Sequence, residues 1–486
     1  MWRKRGSLPL SVGEARLAVC RLWPYNGVMT IPGSARALKG NRLSFIDVLG
    51  HTLANITPSA MATVTISLVA ANGGLLTWAV YLVVGILMLA VAAQVAILAR
   101  EVPSAGSLFV SVGTTLHPLG GLLSGWSMAG GYLGALLAAP VVGALFFSKA
   151  LGVFGWAIGW PAVAVVLAAC AWILTVRDTV IAVRYSLAVE ILSLLAILLV
   201  AAVTLAHDGA VDPAQWRAPV APSSFFGAMT LSVLAYGGFE TAANLGRESH
   251  DPRRDVPRAI GASVVVSLAF YVLMSYTEVL GFGNDTVRLA HTAAPLSALA
   301  VAGHLPWLAL LSDMAMAIAA FSAAIATLNS LSRLLYSMAH HRVVPGVLGA
   351  VGGHRTPAAA LHVLGFAMIG FAGLTAIMHW HVLSIIDLFG VFTALGFIVI
   401  YVLAVAAVIA SRMRRGALPP ASSLLALVTA VPLLLYVFGQ SFWAAAGPAR
   451  LAASGFIVYV LAGAALYAWV TRGGRTLGFG LLREDD

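Results

Sequence analysis

The stretch Leu231–Glu248, LSVLAYGGFETAANLGRE, decides how the rest of the chain is read. It begins as an apolar helix and is interrupted at its middle by Tyr236-Gly237-Gly238-Phe239-Glu240. In hydrocarbon a helix satisfies its own backbone, so a Gly-Gly pair beside a carboxylate is tolerated only where the opened segment lines a cavity or is buried in protein. The stretch is a candidate substrate site if its surroundings are a membrane.

Composition says that they are. Of 486 residues, 60% are hydrophobic and 9% charged, with a mean hydropathy of +0.94, against roughly 25% charged in soluble domains. Apolar windows of about 20 residues predict an all-α polytopic protein with twelve spans, at 45–71, 75–98, 120–147, 156–175, 185–206, 225–246, 258–282, 306–339, 358–378, 384–410, 422–443 and 451–471. With the N-terminus in the cytoplasm, only Lys149, Arg217, Arg288 and Arg450 of the 28 Lys and Arg fall on the far side. One span more or fewer in the middle would scramble this bias, so both termini are expected to be cytoplasmic. The net charge of +10 then follows from topology in the plasma membrane, and no nucleic-acid partner is needed to explain it.

The expected division is a basic tail at 1–44, a first repeat of spans 1–5 at 45–206, a second repeat of spans 6–10 at 225–410, spans 11–12 at 422–471 and a cytoplasmic C-terminus at 472–486. Glu14, Arg16 and Arg21 interrupt the only stretch that would serve as a signal-peptide core, and Met29 would serve equally as a start. Cys20 in the tail and Cys170 in a span sit in different environments. Neither a disulfide, a metal site nor a cofactor is expected from them.

Span 1 holds a second break, Asn55-Ile56-Thr57-Pro58-Ser59-Ala60. Pro58 ends one helix and is welcome as the first residue of the next, with Thr57 as its N-cap. The spacing predicts an inner half-helix ending near Asn55 and an outer one starting at Pro58. Amides of Ser59, Ala60 and Met61 would point into the gap and attract a carboxylate, while the opposing carbonyls would attract an ammonium or cation. Alone, this break reads more simply as a proline kink with no ligand. Spans 1 and 6, however, both open about a dozen residues after their start while running in opposite directions. Interrupted segments at corresponding positions of two halves point to the binding site of an inverted-repeat transporter.

Other polar positions are less decisive. Ser186, Glu190 and Ser193 share one face of span 5. A carboxylate there costs about 2.5–3.5 kcal/mol on insertion scales unless it faces protein or water, and snorkelling to the nearby cytoplasmic edge is the alternative. Gly121, Gly125, Gly130 and Gly134 in span 3 are expected to let a neighbouring backbone approach. His51, Asp313 and Asp387 lie nearer span ends, where headgroup water is the expected partner.

After span 6 comes Arg247-Glu248-Ser249-His250-Asp251-Pro252-Arg253-Arg254-Asp255-Val256-Pro257-Arg258-Ala259-Ile260. From Tyr236 onward this run resembles the amino acid–polyamine–organocation permeases. Pro103-Ser104-Ala105-Gly106 after span 2 and Arg333-Leu334-Leu335-Tyr336-Ser337-Met338-Ala339 with Arg355-Thr356-Pro357 after span 8 are similar to the same family. The resemblance covers about residues 42 to 475. It implies a LeuT-type five-plus-five inverted repeat and a secondary transporter of an amino acid or related small amine. Where many members have a Gly-Ser-Gly type break, this chain has Thr57-Pro58-Ser59-Ala60, like a Pro-containing subgroup.

The expected site combines both breaks. The substrate carboxylate docks on the amides of Ser59, Ala60 and Met61, and the ammonium on carbonyls around Asn55 and Leu234–Gly237. Thr57 lies in the site as the N-cap, Gly237 and Gly238 supply exposed backbone, Tyr236 and Phe239 cover the pocket, and Glu240 braces span 6 or relays a proton. Some proton-coupled relatives carry a lysine in span 5, and no span interior here has one. Glu190 and Glu240 are therefore the proton candidates, Ser322 and Thr327 in span 8 the sodium candidates, and exchange is the alternative. His-Glu-x-x-His, Gly-x-Ser-x-Gly and phosphate-binding loops are all missing from the sequence, so no enzyme is expected. A non-transporting sensor on the same scaffold remains the other class.

Overall fold

The computed structural model describes residues 42–102, 106–156, 158–177, 179–209, 211–217, 221–292, 294–352, 356–443 and 447–471. The expected tail up to residue 41 with Cys20 and Met29, Pro103-Ser104-Ala105, Arg355 and the C-terminus from 472 lie outside the described residues.

The longer helices are α1 (Phe45–Ile56), α2 (Pro58–Gly73), α3 (Thr77–Glu101), α4 (Ser107–Thr115), α5 (Pro118–Gly152), α6 (Trp160–Arg177), α7 (Thr179–Asp208), α8 (Pro222–Ala235), α9 (Asp255–Gly281), α10 (Pro306–His340), α11 (Ala358–Ile377), α12 (Val382–Arg414), α13 (Val431–Trp443) and α14 (Gly447–Thr471). A 3-10 helix, Phe239–Leu245, follows α8. Proline opens α2, α5, α8 and α10, where the amide it lacks would have been unpaired in any case. A capping box starts α1: the Ser44 hydroxyl accepts from the Asp47 amide at 3.3 Å, and the Asp47 carboxylate accepts from the Ser44 amide at 3.0 Å.

Ten helical runs among the described residues are long and apolar enough to cross a membrane. One of them, Phe45–Glu101, is 57 residues long and folds back on itself through a short 3-10 turn at Gly74–Leu76. Pro222–Leu245 is not among the ten because its break leaves two short pieces. Exposed Leu192, Leu195 and Leu199 follow one another at helical spacing on α7. Such a stripe would be an aggregation hazard in water and is an ordinary lipid contact in a bilayer.

The packing pairs display an inverted repeat. Helix α3 packs on α9, α5 on α10 and α6 on α11, while α5–α12 and α7–α10 form a reciprocal set. Each pair joins helices that occupy equivalent places in the two halves, or maps onto another such pair when the halves are exchanged. Glycine permits the tightest contact. A Cβ on Gly396 of α12 would lie 2.6 Å from the Ser127 carbonyl oxygen of α5, and one on Gly134 would lie 2.6 Å from the Thr393 hydroxyl.

Candidate functional site

The span 1 break is one residue wide. Helix α1 ends at Ile56, α2 begins at Pro58, and Thr57 between them is left-handed at φ 48°, a conformation that costs an L-residue about 1–2 kcal/mol. Thr57 makes no side-chain cap bond. The sequence assigned it that role, but an N-cap needs an extended backbone to aim its oxygen at the first amides. Glu190 of α7 fills the place instead. Its Oε1 accepts from the Ser59 hydroxyl at 2.9 Å and from the Ser59 amide at 3.4 Å. The Met61 amide donates to the Thr57 carbonyl at 2.9 Å. Of the three amides expected to face substrate, only that of Ala60 lacks a partner among the described residues.

Glu190 is fully buried, and its Oε2 has no hydrogen-bond partner among the described residues. It does not snorkel. Apolar composition places the start of span 5 at residue 185, just after Arg184, whereas the helix begins at Thr179. Glu190 consequently sits about 16 Å along it.

The span 6 break is wider. Gly238 turns at φ 111°, and a Cβ there would meet the Asn55 carbonyl carbon at 3.0 Å and its oxygen at 3.1 Å. The two breaks therefore touch through backbone, and only glycine satisfies both the angle and the space. Glu240 Oε2 accepts from the Gly238 amide at 3.2 Å and from the Tyr401 hydroxyl of α12 at 2.7 Å. Phe239 stacks on the Tyr401 ring at 4.8 Å. Two carbonyls expected to receive an ammonium already hold donors. Leu234 accepts from the Gly237 amide at 3.2 Å, and Ala235 from the Tyr271 hydroxyl at 2.7 Å. Tyr236 is turned away from the junction, its hydroxyl donating to the Tyr81 carbonyl of α3 at 2.7 Å.

Span 8 lines the other side. Thr327 donates to Asn55 Oδ1 at 3.3 Å, next to the break, while Ser322 donates to the Ser186 carbonyl of α7 at 3.2 Å. The two hydroxyls thus serve different partners. His51 is fully buried and its Nε2 lies 3.0 Å from the Ser330 hydroxyl. Helix α1 is packed between α7, α9 and α10, so the headgroup water expected for His51 is replaced by protein. Asp313 is likewise buried, 3.0 Å from Lys149, while Asp387 is exposed.

Sequence reasoning missed Tyr401, Ser330 and the Arg333–Glu248 pair. Arg333 of α10 is 1% exposed and forms an ion pair with Glu248, its Nη2 reaching Oε2 at 3.1 Å, and its Nη1 donates to the Asn329 carbonyl at 2.8 Å. The backbone of Glu248 also accepts from the Leu43 amide at 2.9 Å, and His250 returns a bond to the Leu43 carbonyl. A tyrosine in an otherwise aliphatic run, as at Tyr401 in IVIYVLAV, is a legible signal, since a buried phenol needs a partner.

Solved structures share this architecture. A manganese transporter of Eremococcus coleocola aligns with a TM-score of 0.58 at 12% identity, over 87% of this chain and 94% of that one. A Na+-coupled sialic acid symporter gives 0.51 at 14% identity, over 82% and 90%. Together with the packing pairs these define the class: an all-α, multi-pass membrane protein with the LeuT-type fold. The chain belongs to the amino acid permease family, whose profile matches residues 45–467. It is 30% identical to an uncharacterized transporter of Mycobacterium tuberculosis over 260 residues, 52% of this chain and 56% of the relative. It is 25% identical over 292 residues to the branched-chain amino acid permease BcaP of Bacillus subtilis, and 23% over 271 to the serine/threonine exchanger SteT of the same organism, covering 55% and 54% of this chain. The chain spans 56% to 60% of the length of these three relatives.

Proposed function

We propose that the protein is a secondary active transporter that moves an amino acid or related small amine across the plasma membrane by alternating access. The observation that carries this reading is the meeting of the two breaks, with Gly238 against the Asn55 backbone. Where two helices interrupted in opposite senses cross, backbone dipoles of both signs face one small volume, which is what recognition of a zwitterion requires. The relatives described as a branched-chain amino acid permease and a serine/threonine exchanger favour an amino acid. A twelve-span arrangement is supported by counting the folded-back Phe45–Glu101 run as two crossings and adding the broken Pro222–Leu245. The bias of Lys and Arg favours cytoplasmic termini.

Glu190 supplies the coupling. Its carboxyl group occupies the Ser59 amide and hydroxyl, the place expected for the carboxylate of the substrate. A helix N-terminus carries about half a positive charge and does not hold two carboxylates at once. A zwitterion docks once Glu190 has taken a proton and released the amide, so proton and substrate travel together. Glu240, tied to Gly238 and Tyr401, is the brace.

Uptake into proteoliposomes under separate proton and sodium gradients tests this. Accumulation driven by a proton gradient alone is expected. Accumulation driven only by sodium, or only by counter-loaded amino acid, would replace proton symport by sodium symport or exchange. Tight binding with no movement of any ligand would make the protein a sensor.

A further inference from the structure

Glu278 stands apart from the site above. It lies three residues before the end of α9 at Gly281, is fully buried, and neither carboxyl oxygen has a hydrogen-bond partner among the described residues. The other buried acids are all held: Asp47 by Arg184, Glu190 by Ser59, Glu240 by Tyr401, Glu248 by Arg333 and Asp313 by Lys149.

The elements packed against α9 offer Glu278 little compensation. Helix α2 and the short helix Pro295–Ala302 carry no titratable side chain. Asp47 and His51 of α1, Glu240 of the 3-10 segment, Arg100 and Glu101 of α3, and Arg184 and Tyr185 of α7 lie toward the middle or the opposite end of the bundle. At the near end, His207 and Asp208 of α7 pair with each other, and Arg288 of the short helix Thr286–Ala290 lies over the Phe282 ring at 5.5 Å. The Tyr81 hydroxyl of α3 is held by that of Thr65 on α2, 2.7 Å away. An ionised carboxylate here would lose its hydration and gain nothing in return. A metal cation would need several oxygen ligands, and no metal-ligand cluster exists among the described residues. A proton is the ligand that this environment suits.

We propose that Glu278 is a second proton-binding residue, loaded from the outer face. Its part in coupling rests on the proton-symport reading, whereas proton binding at Glu278 does not.

Two measurements on the full-length protein in vesicles separate these parts. In infrared difference spectra between acid and alkaline pH, the carbonyl band of a protonated carboxyl is expected in the wild type and in Glu190→Gln, with a component missing from Glu278→Gln. Identical spectra for wild type and Glu278→Gln would overturn the proton site. In uptake assays, Glu278→Gln is expected to keep amino acid counterflow but to lose about tenfold in accumulation per unit of pH gradient, with Glu278→Asp restoring it. Wild-type accumulation in Glu278→Gln would overturn its part in coupling. If the wild type itself accumulates nothing on a proton gradient, the symport reading fails while the infrared band still reports on Glu278.

Discussion

Span 1 is interrupted by Thr57 alone, whereas Tyr236–Gly238 and a 3-10 segment interrupt span 6. The exposed end of span 1 is capped by Glu190, a side chain borrowed from α7. The loop of span 6 is capped by its own Glu240, which Tyr401 fixes to α12. A borrowed cap is lost when either helix moves or when the cap takes a proton, while a cap belonging to the loop travels with it. The first arrangement suits a contact that changes state, and the second suits a fixed wall.

The most damaging way to break this contrast is Gly238→Ala. Its φ of 111° and the Asn55 backbone 3.0 Å from the added Cβ force the two breaks apart. Uptake is expected to fall about a hundredfold, the scale for displacing a site by an ångström, with gel filtration reporting a folded protein. Near-normal uptake would remove Gly238 from the crossing.

Glu190→Gln comes next. It keeps the shape of the cap and removes its charge, so accumulation per pH unit falls about tenfold. In the wild type, substrate binding should weaken as pH rises, because an ionised Glu190 competes for the Ser59 amide. The variant should bind equally across a pH series, and an unchanged slope in binding assays would exclude this competition.

Tyr401→Phe removes one of the two bonds to Glu240 Oε2 and is expected to cost about 1 kcal/mol of stability, read as a lower melting temperature with the pH response intact. A changed pH response would move Glu240 from brace to proton carrier. The smallest effect belongs to Thr57→Gly. Relief of left-handed strain outweighs the added chain entropy by about 0.5 kcal/mol, so a slight rise in melting temperature is expected. A fall would show that the threonine side chain holds the break.

Much of the architecture could be read from the chain because lipid imposes it. Apolar run length marks helices, and Pro58 and the Gly237-Gly238 pair mark where helices stop. The half-helix boundaries fall within a residue of expectation, at Ile56 and Pro58. The partners across the breaks could not be read in the same way. Glu190 reaches Ser59 from 131 residues away, and no local rule predicts which helix a side chain will cap. Tyr236 illustrates the limit from the other side. Its place beside the glycines was legible, but the rotation that sends its hydroxyl into α3 is set by packing against Tyr81 and Tyr271.

The Arg333–Glu248 pair has a consequence for time. It joins α10 to the segment after span 6, and the Leu43 backbone hangs on the same residue. Stripping one partner from a buried ion pair costs about 3–5 kcal/mol. A cycle that parts these charges before water reaches them meets a barrier worth more than about a hundredfold in rate. In such a cycle the pair would work as a timer, with turnover following how quickly this end of the molecule becomes wet and substrate arrival a lesser concern.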